Sequence, residues 1–341
     1  MKPDLFDEFP YTTAKEWLSR ISQDLKARNP QEMLWSPDGN LRINPFVHAE
    51  DVSVPVSGLK AFGNWQIGES FVVTDERASN VQILSALAGG AESIQVSCTD
   101  NVHWDQLLSG VELPYIHLHV IIIGDRERAF NEFLSFTGTR FSNDQLRVTW
   151  CGPGFPAIPE IRFCSAPYVG NDIVDELQLT ICSALDSAQW NAAHLGQCDL
   201  SVHTGMYFLL EIARLRALRI LWSNVADALR FSDSTEFAIE AHTRPCKPED
   251  DPNSHMIKST IMGLAAILGG ADRVYINAAV GIEQDAMFYR HVARNVHHIL
   301  RYESKLTELS DPLAGAYYVD HLTKDLVRRV WDLLLKRIES W

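Results

Sequence analysis

His117 and His119 stand two residues apart in the run Tyr115–Ile123. On an extended strand both imidazoles face the same way and could close on one metal ion. Glu240 and His242 repeat the spacing in Phe237–Thr243, and the four together would suit zinc or iron. The same groups could equally hydrogen-bond one another, and the expectation is that no metal is held. His297-His298 lies in a helical pattern, with one of the pair expected on the surface. Gly152-Pro153-Gly154 lacks the Lys-Ser/Thr that completes a phosphate loop, and Gly269-Gly270 reads as a helix end. No Ser-His-Asp or Cys-His set is fixed by spacing.

The elements that must position these groups alternate. Extended runs fall near 67–74, 93–98, 115–123, 147–151, 161–165, 199–203, 237–243 and 273–277. Helical runs follow most of them, at 76–88, 102–108, 126–136, 172–187, 205–229, 252–268, 284–302 and 322–338. Strands alternating with helices predict a parallel sheet, and eight units predict an α/β fold, a (β/α)8 TIM barrel. A doubly wound open sheet is the alternative. Only GPGFPAIPE joins the fourth and fifth strands, and its prolines forbid a full helix. The sixth unit organises the chain: Asp199–His203, then a helix with Phe208, Leu209, Ile212, Leu215, Leu218, Leu221 and Trp222 on one stripe. Glu211, Arg214, Arg216 and Arg219 fall off that stripe.

Within the strands the alternates sort by polarity. Ile94, Val96, Ile116, Leu118, Ile161, Phe163, Leu200, Val202, Phe237, Ile239, Val274 and Ile276 should face the helices. Gln95, Ser97, His117, His119, Arg162, Cys164, Ser201, His203, Glu240, His242, Tyr275 and Asn277 should then face the axis. A barrel lined this way is no dry core, because each buried polar atom needs a partner. Either these groups pair with one another or they line a channel for a ligand.

The 341 residues carry 46% hydrophobic side chains, enough to bury a sizeable core. A net charge of −14 argues against a broad nucleic-acid surface. No apolar run approaches the about 18 residues of a membrane span, and the acidic N-terminus is no secretory signal. The six scattered cysteines read as small buried residues of a reducing compartment, so a cytoplasmic location is expected. Residues 1–45 lie before the alternating pattern and form an N-terminal helical arm. Its helix runs from about 14 to 27, capped by Thr12 or Thr13, with Trp17, Leu18, Ile21 and Leu25 on one face. Residues 46–341 make the barrel.

Four stretches resemble one family: GMYFLLEIARLRALRILWSNV, SHMIKSTIMGLAAILGGADRVYINA, YRHVARNVHHILRYESKL and DPLAGAYYVDHLTKDLVRRVW. They are similar, in order and spacing, to the substrate-binding barrel of methylmalonyl-CoA mutase. The likeness is close from about residue 158 onward and looser over 60–157. It implies a barrel that binds acyl-CoA through its centre, with a separate C-terminal domain carrying adenosylcobalamin, whose radical chemistry interconverts methylmalonyl-CoA and succinyl-CoA. The substrate-tunnel lining it implies here is Gln95, Ser97, His117, His119, Ser201, His203, Glu240, His242, Tyr275 and Asn277.

Departures from the catalytic pattern cluster. Where the family's catalytic chain has RPWTIRQYAG, with a substrate-contacting tyrosine, this chain has Gly58-Leu59-Lys60-Ala61-Phe62-Gly63-Asn64-Trp65. The family's SGYH corresponds to Ala166-Pro167-Tyr168-Val169, and Val169 has no proton to polarise a thioester carbonyl. RTHSQ corresponds to Glu240-Ala241-His242-Thr243-Arg244, which puts a permanent cation, Arg244, where a glutamine stood. No Asp-x-His-x-x-Gly motif occurs to ligate cobalt, and no C-terminal cobalamin-binding domain is expected. The pattern therefore resembles the small, non-catalytic subunit of the heterodimeric mutases. The expectation is an isomerase subunit, itself inactive, whose partner chain carries adenosylcobalamin. Two alternatives stand beside it: an active acyl-CoA isomerase using a cobalamin domain on another polypeptide, and a homodimeric acyl-CoA binding module. The arm, rich in aromatics at Phe6, Phe9, Tyr11, Trp17 and Trp35, is expected to lie across the catalytic large subunit or a second copy.

Overall fold

The computed structural model describes residues 11–26, 28–52, 64–152, 161–164, 172–188, 195–229, 237–247, 249–279 and 286–339. Eight strands close into a parallel barrel in sequence order. They are β1 (Gln66–Val72), β2 (Ser93–Thr99), β3 (His117–Ile123), β4 (Val148–Cys151), β5 (Ile161–Cys164), β6 (Cys198–Thr204), β7 (Ile239–Thr243) and β8 (Arg273–Tyr275). β8 pairs back onto β1, so the sheet has no free edge. The open-sheet alternative is thereby excluded, and the sixth unit stands where the sequence put it.

The helices are α1 (Ala14–Asp24), α2 (Glu76–Ala88), α3 (Trp104–Leu107), α4 (Arg126–Gly138), α5 (Ile173–Ser187), α6 (Phe208–Leu229), α7 (Pro252–Leu268), α8 (Ala286–His298) and α9 (Tyr317–Glu339). Thr13 caps α1 in a capping box with Glu16. Asp75, Asp125, Asp172 and Asp251 cap α2, α4, α5 and α7, each carboxylate accepting a backbone N–H three residues on. These caps fix where the chain turns from strand to helix at the C-terminal end of the barrel.

The outward alternates Ile94, Val96, Leu118, Ile161, Leu200, Val202, Ile239 and Val274 are buried against the helices. Two corrections concern the helical layer. The last helix begins at Tyr317 and is no barrel helix: α8 already follows β8, and α9 packs outside α6 and α5. Its stripe Leu322, Leu326, Val330 and Leu334 joins the same apolar cluster as Leu215 and Leu218. As a result α6 is buried nearly all round. Leu209, expected on the stripe, is exposed, whereas Glu211, Arg214, Arg216 and Arg219 are buried. Each finds a partner there: Arg214 with Glu211 and Glu176, Arg216 with Asp311 at 2.6 Å, Arg219 with Asp272 at 2.6 Å.

The chain before the barrel is partly anchored to it. Leu41 and Ile43 sit in the cluster around α5 and α6, and Trp35 meets Tyr207 edge-on at 4.9 Å. Asn40 donates to Asp172 at 2.8 Å. Trp17 packs on Phe46 and His48, and Tyr11 donates to Glu50. Phe6, Phe9 and the stretch 53–63 lie outside the described residues. Of the histidine pair, His297 is enclosed and accepts from Trp65 Nε1 at 3.1 Å, while His298 is half-buried and reaches the Gly89 carbonyl. All six cysteines are buried and free.

Candidate functional site

The axis of the barrel holds a continuous network of buried polar groups. His117 on β3 places Nδ1 2.9 Å from Ser93 Oγ and Nε2 2.9 Å from Thr149 Oγ1. Ser93 in turn meets the Tyr275 hydroxyl at 2.7 Å. Thr149 donates to Asp199, as do Arg162 (2.7 Å) and Arg273. Arg273 also donates to Glu240 at 2.7 Å, and Glu240 meets His119 Nδ1 at 2.5 Å. Glu240 and Asp199 are fully enclosed, and His117 and His119 nearly so. Carboxylates in such a place persist because two guanidinium groups and an imidazole satisfy them.

The electrostatics follow from that pairing. Burial would raise the Glu240 carboxyl, but His119 and Arg273 outweigh it and hold it well below the usual range. Burial works to lower His119, yet the Glu240 carboxylate and the Cys151 thiol keep it up at about 9. His117, buried and facing Arg273, is pushed well down and stays neutral. His242 is lowered to about 3, chiefly by burial. Its ring stacks on Tyr275 at 4.3 Å and 9°. Gly68 makes room for that stack, since a Cβ there would lie 2.5 Å from the Tyr275 ring.

The ten tunnel candidates divide by what each one meets. His117, His119, Glu240 and Tyr275 are engaged in the network. Beside them, Ser201 Oγ, His203 Nδ1 and His242 Nε2 are buried with no partner among the described residues, as is Ser70 Oγ on β1. Gln95, Ser97 and Asn277 line a cavity of about 520 Å³ against β1, β2 and β8, with Arg290 and Arg294 of α8 beside it. Asn277 is held by Thr243, whose Oγ1 accepts its backbone N–H at 2.8 Å. Arg244 points outward, with its side chain 57% exposed and Glu176 3.8 Å away. Val169 lies outside the described residues.

Four members of the network were not singled out from the sequence: Ser93, Thr149, Asp199 and Arg273. Ser93, Asp199 and Arg273 share the parity of the inward alternates, two residues toward the start of their strands. Extending the alternation by one step would have found them.

Fold and site define a class: a closed (β/α)8 barrel whose axis is filled by paired charges. Sequence comparison then gives its relatives. Residues 185–341 match the family model for methylmalonyl-CoA mutase, and the chain is a relative of that family. It is 37% identical over 198 residues to the methylmalonyl-CoA mutase of Escherichia coli (strain K12), covering 53% of this chain and 27% of that protein. It is 23% identical to the methylmalonyl-CoA mutase small subunit of Porphyromonas gingivalis, covering 98% of this chain and 64% of the subunit. The large subunit from the same organism is 29% identical over 136 residues, 38% of this chain and 19% of that subunit. The resemblance to the small subunit thus runs along the whole chain, and the chain spans less than two thirds of each of these relatives.

The described residues do not fit as the axial seat of a cobalamin. His203 and His242 pack ring against ring at 6.1 Å inside the barrel, and His242 is covered by Tyr275. His203 Nδ1 and His242 Nε2 are both buried. Among the described residues no helix is long and apolar enough to cross a membrane.

Proposed function

We propose that this chain is the barrel part of a small-subunit-type methylmalonyl-CoA mutase chain, without turnover of its own, that supports a catalytic large subunit by contact. The observation that carries this reading is the bond between His119 on β3 and Glu240 on β7. Those strands are opposite one another in an eight-stranded barrel, so their bond passes through the axis. A substrate threaded down the centre would have to break it and leave buried charges unpaired. Adenosylcobalamin is assigned to the partner chain, in keeping with the poor fit of His203 and His242 as axial ligands. A large subunit is the proposed partner because the small-subunit relative has a large-subunit counterpart in the same organism.

The test is turnover of methylmalonyl-CoA with adenosylcobalamin, by this chain alone and with a mutase large subunit. The expected result is none alone, and a large-subunit activity or lifetime that rises when this chain is added. Turnover by the isolated chain overturns the reading.

A second reading, an acyl-CoA binding module, is favoured by the mouth cavity lined by Gln95, Ser97 and Asn277 with two arginines beside it. Calorimetric titration with CoA separates the two, since only this module saturates without a partner. Residues 1–45 are read as an arm and 46–341 as the barrel. The anchored stretch 35–43 supports a fixed root, with the part before it left to reach a second chain. Deleting residues 1–34 should preserve the folded spectrum and weaken assembly in sedimentation. Unchanged assembly would return the arm to its own barrel.

A further inference from the structure

The structure assigns a thiophilic metal site to His119 within β3 and to Cys151 and Cys164, which end β4 and β5. Their ligand atoms lie within 4.8 Å of one another, and all three residues are buried. Cys151 and Cys164 are register partners on adjacent strands, so both thiols point to the axis at the same height. His119 Nε2 stands 3.5 Å from Cys164 Sγ. Zinc bonds of about 2.3 Å to sulfur and about 2.0 Å to nitrogen, at a tetrahedral angle, place those atoms about 3.6 Å apart. The chain holds the two ligands at nearly the spacing a bound ion would impose.

The neighbour of His119 strengthens the assignment. Its Nδ1 is committed to Glu240, which fixes the ring and turns Nε2 toward the thiols. A carboxylate on the far nitrogen is the usual support of a metal-bound histidine. Two thiolates match the charge of a divalent ion, and the barrel's carboxylates are already matched by Arg162 and Arg273. Coordination displaces the protons held by the thiols and by His119 Nε2. Three protein ligands leave a fourth position for water or a small ligand.

Of the other groupings, that of His119, Glu240 and His242 has His119 Nδ1 bonded to Glu240. His117, Asp199 and Glu240 are saturated by Thr149, Arg162 and Arg273. At the barrel mouth Cys246, Asp250 and His255 also lie close, but His255 Nε2 is engaged with the Asn277 carbonyl and Asp250 accepts from the Lys247 backbone.

The experiment is to express the full chain in cobalt-supplemented and, separately, zinc-supplemented medium. Metal content and near-ultraviolet absorption are read after dialysis. About one ion per chain is expected, with a thiolate-to-cobalt charge-transfer band in the cobalt form. Cys164→Ser and Cys151→Ser should each lower retained metal by about tenfold or more, and Cys246→Ser should leave it unchanged. Wild-type protein that is folded yet carries no metal and no charge-transfer band overturns the assignment, whatever the variants do. Metal that follows Cys246 instead overturns it equally.

Discussion

His119 Nδ1 and a Glu240 carboxylate oxygen meet 2.5 Å apart across the full width of the barrel. They come from strands that share no backbone hydrogen bond, and 121 residues separate them. Such a contact ties the two halves of the sheet together through the centre, where most barrels of this class rely on interdigitated aliphatic side chains.

Glu240→Gln removes the charge that His119 and Arg273 both need. The expected loss is about 3–5 kcal/mol, the usual result of stripping one member from a buried ionic set. Urea unfolding at neutral pH measures it. A loss below about 1 kcal/mol would show that the cross-barrel tie contributes little.

His297 gives the acid limb of stability. Burial, aided by Arg301 and His298, lowers its pKa to about 3, whereas in the unfolded chain it titrates near 6.5. Above about pH 6.5 both states are neutral there and the contribution is complete. As pH falls below that value the unfolded chain binds a proton that the folded chain refuses. Stability should then drop by about 1.4 kcal/mol per pH unit down to about pH 3 from this residue. His297→Gln, which still accepts from Trp65, should lessen the slope between pH 6 and 4 by that amount. Equal slopes in the two proteins would place His297 in a wetter site.

Leu218 is fully buried between the barrel wall and α9. Leu218→Ala should lower stability by about 2–5 kcal/mol. Denaturant melts check this, and a change near zero would mean the stripe does not pack as described.

Gly68 and Tyr275 are coupled by space. Gly68→Ala sets a methyl 2.5 Å from the ring and must displace the stack on His242, so a loss of about 1–3 kcal/mol is expected. With Tyr275→Leu in the background the same change should be much milder, and a double-mutant cycle reads the difference. Additive losses would show that the two do not share that space.

The fold was legible because its signals are local. Helical runs alternating with extended ones placed every barrel strand within a few residues, and polarity told which face of each strand turned inward. The site was half legible. Parity put His117, His119 and Glu240 on the axis, but nothing local says that Asp199 will meet Arg273, 74 residues on, because only closure of the sheet brings β6 and β8 to one side. Charged residues at strand starts look like solvated ends until the ring is shut. α6 misled for a related reason. Its wheel showed the face toward the sheet, whereas Arg216 and Arg219 read as surface because their partners, Asp311 and Asp272, are far along the chain.

The packing of α9 on α6 carries a consequence for biosynthesis. The ribosome releases α6 long before residues 317–339, an interval of several seconds at about 5–20 residues per second. Throughout it, the flank that Leu322, Leu326 and Val330 will occupy is bare on the nascent chain. Chains arrested before residue 317 should therefore bind a fluorescent apolar dye that the finished protein excludes, and equal binding by both would argue otherwise. The barrel wall can assemble in order of synthesis. A helix buried nearly all round must wait, and a chaperone would find its docking face there.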